Sequence, residues 1–476
     1  VILADVLMVG TVAFLLAYVL LCSAVFRVTR SPAMVIVLAL GAYWSLVGAL
    51  SILPSKRVAG GTTFTYMEDR LYPILVDGDY ALTLLSYAGF LTIAALTVLL
   101  LAKPAGRDPE ALGTWQRLSG RFAHPVLVAI LSVFTALKVL IVGILVAGSG
   151  GASLYTATRT VQGSLGGELR IYQYLNVTTS YSLAAGLALW LGFVAGRQRY
   201  RPTARRFLWL AYAALFLEVM AENALLGNRA VPLVIMGAVG TGWLRWRYLP
   251  STRVERRPQA ARFLLLALLG LLALGAIGNS RGGDLSSPGA VVQALETSVT
   301  QPRAIVEQVA GSSEKIASHM SLYGVIRSQD LVRDPFAANS YQAYATLVDA
   351  PADQVFTVHY VAAWWMRLGP LGVPVAGLSF GLVLAVLQRL ALAARGLVRS
   401  AFALPAAVLP AAGLPVIVLR SGPESLRAVV VELVLLPGLV CLAACWAGSR
   451  SPAPPDTDPL DATLEPPHTG HQEHYV

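Results

Sequence analysis

Apolar runs of about 20 residues recur along the chain, with polar stretches between them. A helix needs about 20 apolar residues to cross a hydrocarbon core. Eleven runs meet or nearly meet that length: 5–26, 33–53, 81–102, 126–147, 175–196, 207–226, 230–246, 263–278, 370–392, 401–419 and 428–447. The runs starting at 230 and 263 are on the short side. The pattern predicts an all-α, multi-pass integral membrane protein with about eleven transmembrane helices. No basic segment precedes the first run and no clear small-residue cleavage site follows Phe26, so it reads as a retained span and not as a signal peptide.

Charge orients the runs. Arg27/Arg30, Lys103/Arg107/Arg117/Arg121, Arg197/Arg199/Arg201/Arg205/Arg206, Arg245/Arg247/Arg253/Arg256/Arg257/Arg262 and Arg389/Arg395/Arg399 occupy alternate connections. With eleven spans these five connections share one side, which the positive-inside rule makes the cytoplasm. The N-terminus is then outside and the C-terminus inside. The outer connections are 54–80, 148–174, 227–229, 279–369 and 420–427.

The fourth outer connection is about 90 residues long, a length that points to function or disorder. Ala290–Val299 and Arg303–Ser318 show helical spacing of apolar positions, and Pro302 suits the start of the second. Val355–Leu368, with Phe356, Tyr360, Trp364 and Trp365, reads as an interfacial or re-entrant helix leading into a span at Gly369-Pro370. The chain divides into N-terminal helices (1–278), an outer loop with short helices (279–369), C-terminal helices (370–448) and a tail (449–476). From Ser451 that tail is rich in Pro, Asp and Glu and reads as disordered.

Composition agrees with a membrane protein. Charged residues make up 13% of the chain, against about 25% in soluble domains. The net charge of +10 fits anchoring lysines and arginines, and no basic arm with interleaved aromatics suggests nucleic acid as a partner. Cys22, Cys441 and Cys445 lie inside apolar runs and read as small core residues. No Walker A sequence and no HExxH or HxxEH motif occurs, which excludes a P-loop ATPase and a zincin-type protease.

The chemistry lies in arginines that orientation does not require. Arg159, Arg170, Arg229, Arg281, Arg327, Arg367 and Arg420 all fall on the outer side. The guanidinium fork matches phosphate and carboxylate geometry, so this surplus points to an anionic substrate held there. Arg229 stands between two apolar runs with Glu222 two turns before it, either as an interfacial anchor or as a phosphate clamp. Arg281 follows a span in Gly278-Asn279-Ser280-Arg281-Gly282-Gly283-Asp284, where the glycines allow close backbone approach or only a flexible turn. Arg159 and Arg170 stand near Tyr155, Tyr172 and Tyr174, a set that suits a sugar–phosphate ligand, though Arg170 also has Glu168 as a partner.

Other candidates are fewer. Lys138 lies within an apolar run and serves a functional role, snorkels or pairs with a neighbouring helix. His319 and His359 are outer-side histidines, able to take a proton near neutral pH or to pack on aromatic rings. Asp77-Gly78-Asp79 is the nearest approach to a metal-binding pair and equally reads as loop charge. His468, His471 and His474 form no tetrahedral set, and no metal is expected.

Two stretches resemble bacterial oligosaccharide repeat-unit polymerases, the O-antigen polymerase (Wzy-type) membrane proteins. Leu225-Leu226-Gly227-Asn228-Arg229, followed at once by an apolar run, is similar to the Gly-x-Arg junction between consecutive spans of that family. The long outer loop ending in Gln354-Val355-Phe356-Thr357-Val358-His359-Tyr360, then Arg367-Leu368-Gly369-Pro370-Leu371-Gly372-Val373, resembles the family's polar segment and its hydrophobic-G-x-x-G entry to the next span. The proline-rich stretch that often precedes the end of that loop is represented only by Asp334-Pro335-Phe336. The likeness is architectural over about residues 30 to 448.

The resemblance implies a metal-independent, cofactor-free glycosyltransferase of the bacterial inner membrane. It would polymerise oligosaccharide repeat units carried on undecaprenyl diphosphate at the outer face, in cell-surface polysaccharide biosynthesis. Arg159, Arg170, Arg229 and Arg281 would then contact diphosphate or sugar, with Arg327, Tyr172, Tyr360 and Glu222 as further binding residues. Arg229 and His359 would be catalytic, His359 as the base that positions the acceptor. The implied partners are the lipid-linked oligosaccharide, membrane lipid and a chain-length regulator. An O-antigen ligase-type glycan transfer and a transporter of an anionic solute are the alternatives, and a non-enzymatic scaffold leaves the outer arginines unexplained.

Overall fold

A computed structural model of the chain describes residues 2–59, 63–67, 70–73, 77–103, 123–148, 167–195, 202–225, 230–248, 256–266, 269–270, 313–328, 340, 343–344, 358–392, 396–419 and 421–449. Arg159, Arg229, Arg281, Arg420, the expected helix Ala290–Val299 and the tail from Ser451 lie outside these residues. So do the side chains of Arg170 and Tyr172.

The elements are α1 (Ile2–Thr29), α2 (Pro32–Ala59), β1 (Thr63–Met67), β2 (Arg70–Pro73), α3 (Gly78–Leu101), α4 (Ala123–Gly148), α5 (Gly167–Ala195) and α6 (Pro202–Leu225). They continue with α7 (Ala230–Trp243), α8 (Ser313–Ser328), α9 (Tyr360–Leu368), α10 (Gly372–Leu392), α11 (Leu397–Val408), α12 (Pro410–Ile417) and α13 (Leu436–Ser449). A π-helical turn, Leu244–Tyr248, extends α7, and another, Val429–Leu435, leads into α13. Each apolar run is helical over most of its described residues, with Ala102 a bend and Leu409, Val418 and Leu419 turns.

The protein is a multi-pass, helix-rich bundle of membrane type. Six described helices are long and apolar enough to cross a membrane, and the pair α11–α12, bent by 61°, makes a seventh. Pro410 causes that bend, because it lacks the N–H that would continue α11. α5 and α6 have the length, at 29 and 24 residues, but carry more charge and hydroxyl groups. Length and apolarity therefore define six or seven spans among the described residues, where the run count anticipates about eleven.

Two details depart from an all-helical reading. β1 and β2 form an antiparallel hairpin in the connection between α2 and α3, with Phe64 opposite Tyr72 and a bulge between Thr65 and Met67. The connection expected over 148–174 is shorter than its sequence suggests, since α5 already begins at Gly167.

α1 and α4 present Leu16, Leu20, Val133, Leu140 and Ile144 outward, as lipid-facing helices do. α5 lies at the centre, with residues 178–188 all buried. Small residues permit this packing, as between helices in lipid. α10 carries Gly377 and Gly381 one turn apart against α3. A Cβ at Gly381 would stand 2.6 Å from Thr97 Cβ and 2.7 Å from Ala94 O.

The ends of the bundle differ in charge. Gln388 Nε2 donates to Thr29 O at 3.3 Å, and the Arg389 guanidinium donates to Leu101 O at 2.9 and 3.2 Å. These bonds bring the termini that carry Arg27, Arg30, Lys103 and Arg389 to one end of the bundle.

Candidate functional site

The opposite end is built around a helical hairpin. α9 rises from His359 to Leu368, the chain reverses at Gly369 (φ +58), and α10 descends beside it. Tyr360 Oη and Ser379 Oγ are 2.9 Å apart although 19 residues separate them, a distance no continuous helix permits. Gly369 adopts the left-handed φ that only glycine takes without penalty. The segment 358–368 thus folds back along α10 as the first arm of a hairpin.

His359 caps α9 at the foot of the hairpin. Its Nδ1 accepts from Val361 N at 3.2 Å, so Nε2 carries the proton and donates to Ser45 Oγ at 3.1 Å on α2. Its own N–H donates to Ser321 Oγ at 2.9 Å. His319, on α8, has the opposite tautomer. Nδ1 donates to Ser45 O at 2.7 Å, and Nε2 accepts from Tyr80 Oη at 3.1 Å.

Tyr87 lies between the two imidazoles, with its ring centroid 4.6 Å from that of His359 and 5.2 Å from that of His319. Its hydroxyl donates to His319 O at 2.8 Å. Both histidines are fully buried. Burial pulls the His319 imidazole down to about 4, against the Ser45 carbonyl bond that favours its charged form. Burial, then the neighbouring His319, pulls His359 down to about 3. Both are neutral near pH 7, and each ring nitrogen is engaged. A role for His359 as a base needs a lone pair that this arrangement commits to Val361.

Above this core a polar clasp joins three segments. Arg367 Nη1 donates to Ser340 Oγ at 2.8 Å and to Ala363 O at 2.7 Å, while Nη2 lies 3.7 Å from Glu424 Oε2. Ser340 donates from its N–H and its hydroxyl to the two oxygens of Glu424, each at 3.0 Å. The Arg367 side chain is buried and Glu424 is exposed at the rim. Arg427, one turn beyond Glu424, is also exposed.

Arg327 stands exposed at the end of α8, donating to Tyr323 Oη at 2.9 Å with its charge supported by Asp77 and Asp79. Asp77 itself caps α3, accepting from Tyr80 N at 3.0 Å. No group of three His, Cys, Asp or Glu side chains among the described residues could hold a metal ion.

The expected site residues separate into two places. Arg327, His359, Tyr360 and Arg367 belong to the α8–α9 unit, where Tyr360 is buried among Phe90, Trp364 and Phe380. Glu222 lies apart and pairs with Lys138, joining α6 to α4. Glu218 stands one turn before Glu222 on α6. Arg170 and Tyr172 stand in the first turns of α5. Ser45, Tyr80, Tyr87, Ser321, Ser340 and Glu424 are members that sequence reasoning misses. A signal exists for two of them, because Tyr80, Thr83 and Tyr87 make a polar stripe at i, i+3, i+7 on α3.

Compared with protein-family models, curated proteins and solved structures, the chain has no match in any of the three. Fold and site together define a multi-pass, membrane-type helical bundle with a helical hairpin seated on two buried histidines.

Proposed function

We propose that the protein is a membrane-embedded glycosyltransferase that polymerises undecaprenyl-diphosphate-linked oligosaccharides at the outer face of a bacterial inner membrane. The observation that carries this reading is the placing of arginines at the end of the bundle that bears the α9–α10 hairpin. Arg327 and Arg427 are exposed there and Arg367 is buried beside Glu424, while the anchoring basic residues lie at the opposite end.

In the reaction, an acceptor hydroxyl attacks the anomeric carbon of the donor. The new glycosidic bond forms as the acceptor hydroxyl gives its proton to water, the bond to the diphosphate oxygen breaks, and undecaprenyl diphosphate leaves with the electron pair and the negative charge. Guanidinium groups aimed at that oxygen stabilise the transition state more than the ground state. Arg229, with Arg159, Arg170 and Arg281, is assigned to the diphosphate and sugar. His359 positions the hairpin that carries Arg367.

A second reading, export of an anionic solute, draws support from the buried Lys138–Glu222 pair and the broken α11–α12 helix. Deleting the gene and resolving surface polysaccharide on a gel separates the possibilities. Loss of the ladder with single-repeat glycan retained supports polymerisation. Loss of all capped glycan indicates a ligase, and an unchanged ladder refutes both transferase readings.

A further inference from the structure

α1 and α2 part along their outward side and leave a lateral groove of about 540 Å³, within the range of small-ligand sites. Its walls are largely apolar, with Tyr18, Cys22 and Phe26 on one side and Val35 and Tyr43 on the other. From Leu15 to Arg27 it follows α1 for about 18 Å at 1.5 Å per residue. That is close to the depth of one leaflet, roughly half of a 30 Å core. Arg27 closes it at the α1–α2 turn, and Arg30 follows within one helical turn. Both side chains are exposed, and among the described residues neither guanidinium has an ion-pair partner.

An apolar cleft of leaflet depth that ends at the Arg27 guanidinium, with Arg30 exposed in the turn just beyond, has the chemistry of a seat for an anionic amphiphile. We propose that this groove binds one anionic phospholipid from the leaflet at the basic end, with an acyl chain along α1 and the headgroup phosphate on Arg27 and Arg30. A zwitterionic headgroup carries the same phosphate but brings a cation toward the two guanidinium groups, so phosphatidylglycerol should be preferred over phosphatidylcholine. The site lies at the end of the bundle remote from Arg327 and Arg367, and it stands whether or not the protein polymerises glycans.

The test is native mass spectrometry of the purified full chain after exchange into phosphatidylglycerol or phosphatidylcholine. One phosphatidylglycerol per chain should survive conditions that strip phosphatidylcholine. Arg27→Gln with Arg30→Gln should lower its retention at least tenfold. Ala39→Trp, which fills the exposed wall of the groove and leaves both arginines, should lower it similarly. Equal retention of the two lipids by the unaltered chain overturns the proposal and needs no variant, so misfolding of a variant cannot hide the answer. Retention unchanged in either variant overturns it as well. A two-chain species that Ala39→Trp converts to single chains would make the groove an interface between copies, which also contradicts lipid as its occupant.

Discussion

His359 and Ser45 meet at 3.1 Å, imidazole Nε2 to hydroxyl Oγ, across 314 residues of sequence. Ser45 is held twice, since His319 takes its carbonyl at 2.7 Å. One residue of α2 thereby ties both the α9–α10 hairpin and α8, the two elements that carry Arg367 and Arg327.

His359→Ala removes the α9 cap and the bond to Ser45 from a fully buried position. It should cost about 2–4 kcal/mol, seen as a lower melting midpoint of the purified protein. Ser45→Ala leaves the carbonyl bond intact and should cost only about 1–2 kcal/mol. Equal midpoints for the unaltered protein and His359→Ala would show that the hairpin does not depend on this contact.

Acid should loosen the same core. The folded-state values of His319 and His359, about 4 and about 3, lie below the unfolded value near 6.5. The unfolded chain therefore binds protons first as pH falls. Stability is full above pH 6.5 and declines below it until the folded values are reached, by up to about 1.4 kcal/mol per pH unit for each imidazole. Melting midpoints measured from pH 7.5 to 4.5 should fall through this window, and less steeply in His319→Gln. A flat profile would contradict the neutral, buried seats.

Lys138→Met strands the Glu222 carboxylate and should destabilise by about 3–5 kcal/mol. Adding Glu222→Leu should restore most of that loss, and if the pair is structural the double variant still makes polymer. A folded double variant without activity would favour the transport reading.

Gly381 lies against α3 so closely that a Cβ would meet backbone, Ala94 O, at 2.7 Å. Gly381→Leu should therefore separate α3 from α10 and cost at least about 2 kcal/mol. Gly10→Ala, on exposed helix with nothing within 4 Å, should be neutral or slightly stabilising in the same melting assay.

The helical character of the apolar runs was legible because burial in lipid demands long apolar helices, but six or seven spans, where eleven runs suggested about eleven, meet that length and apolarity among the described residues. The hairpin at Gly369 was legible in part, from the aromatic density of Val355–Leu368 and the Gly-Pro that follows. The histidine core was not. His319 and His359 stand 40 residues apart, and their common partner Ser45 lies in an apolar run where a serine attracts no attention. Glu222 is a second case, since its partner Lys138 stands 84 residues earlier. Pairing across a bundle has no local signature.

Glycan polymerisation is tested most directly by reconstitution. The purified protein in liposomes receives a single-repeat oligosaccharide on undecaprenyl diphosphate, in buffer containing EDTA, and product lengths are read on a gel. The account predicts a ladder of lengthening lipid-linked glycan with release of undecaprenyl diphosphate. Folded protein that leaves the single-repeat substrate unchanged, with or without added divalent metal, would contradict it.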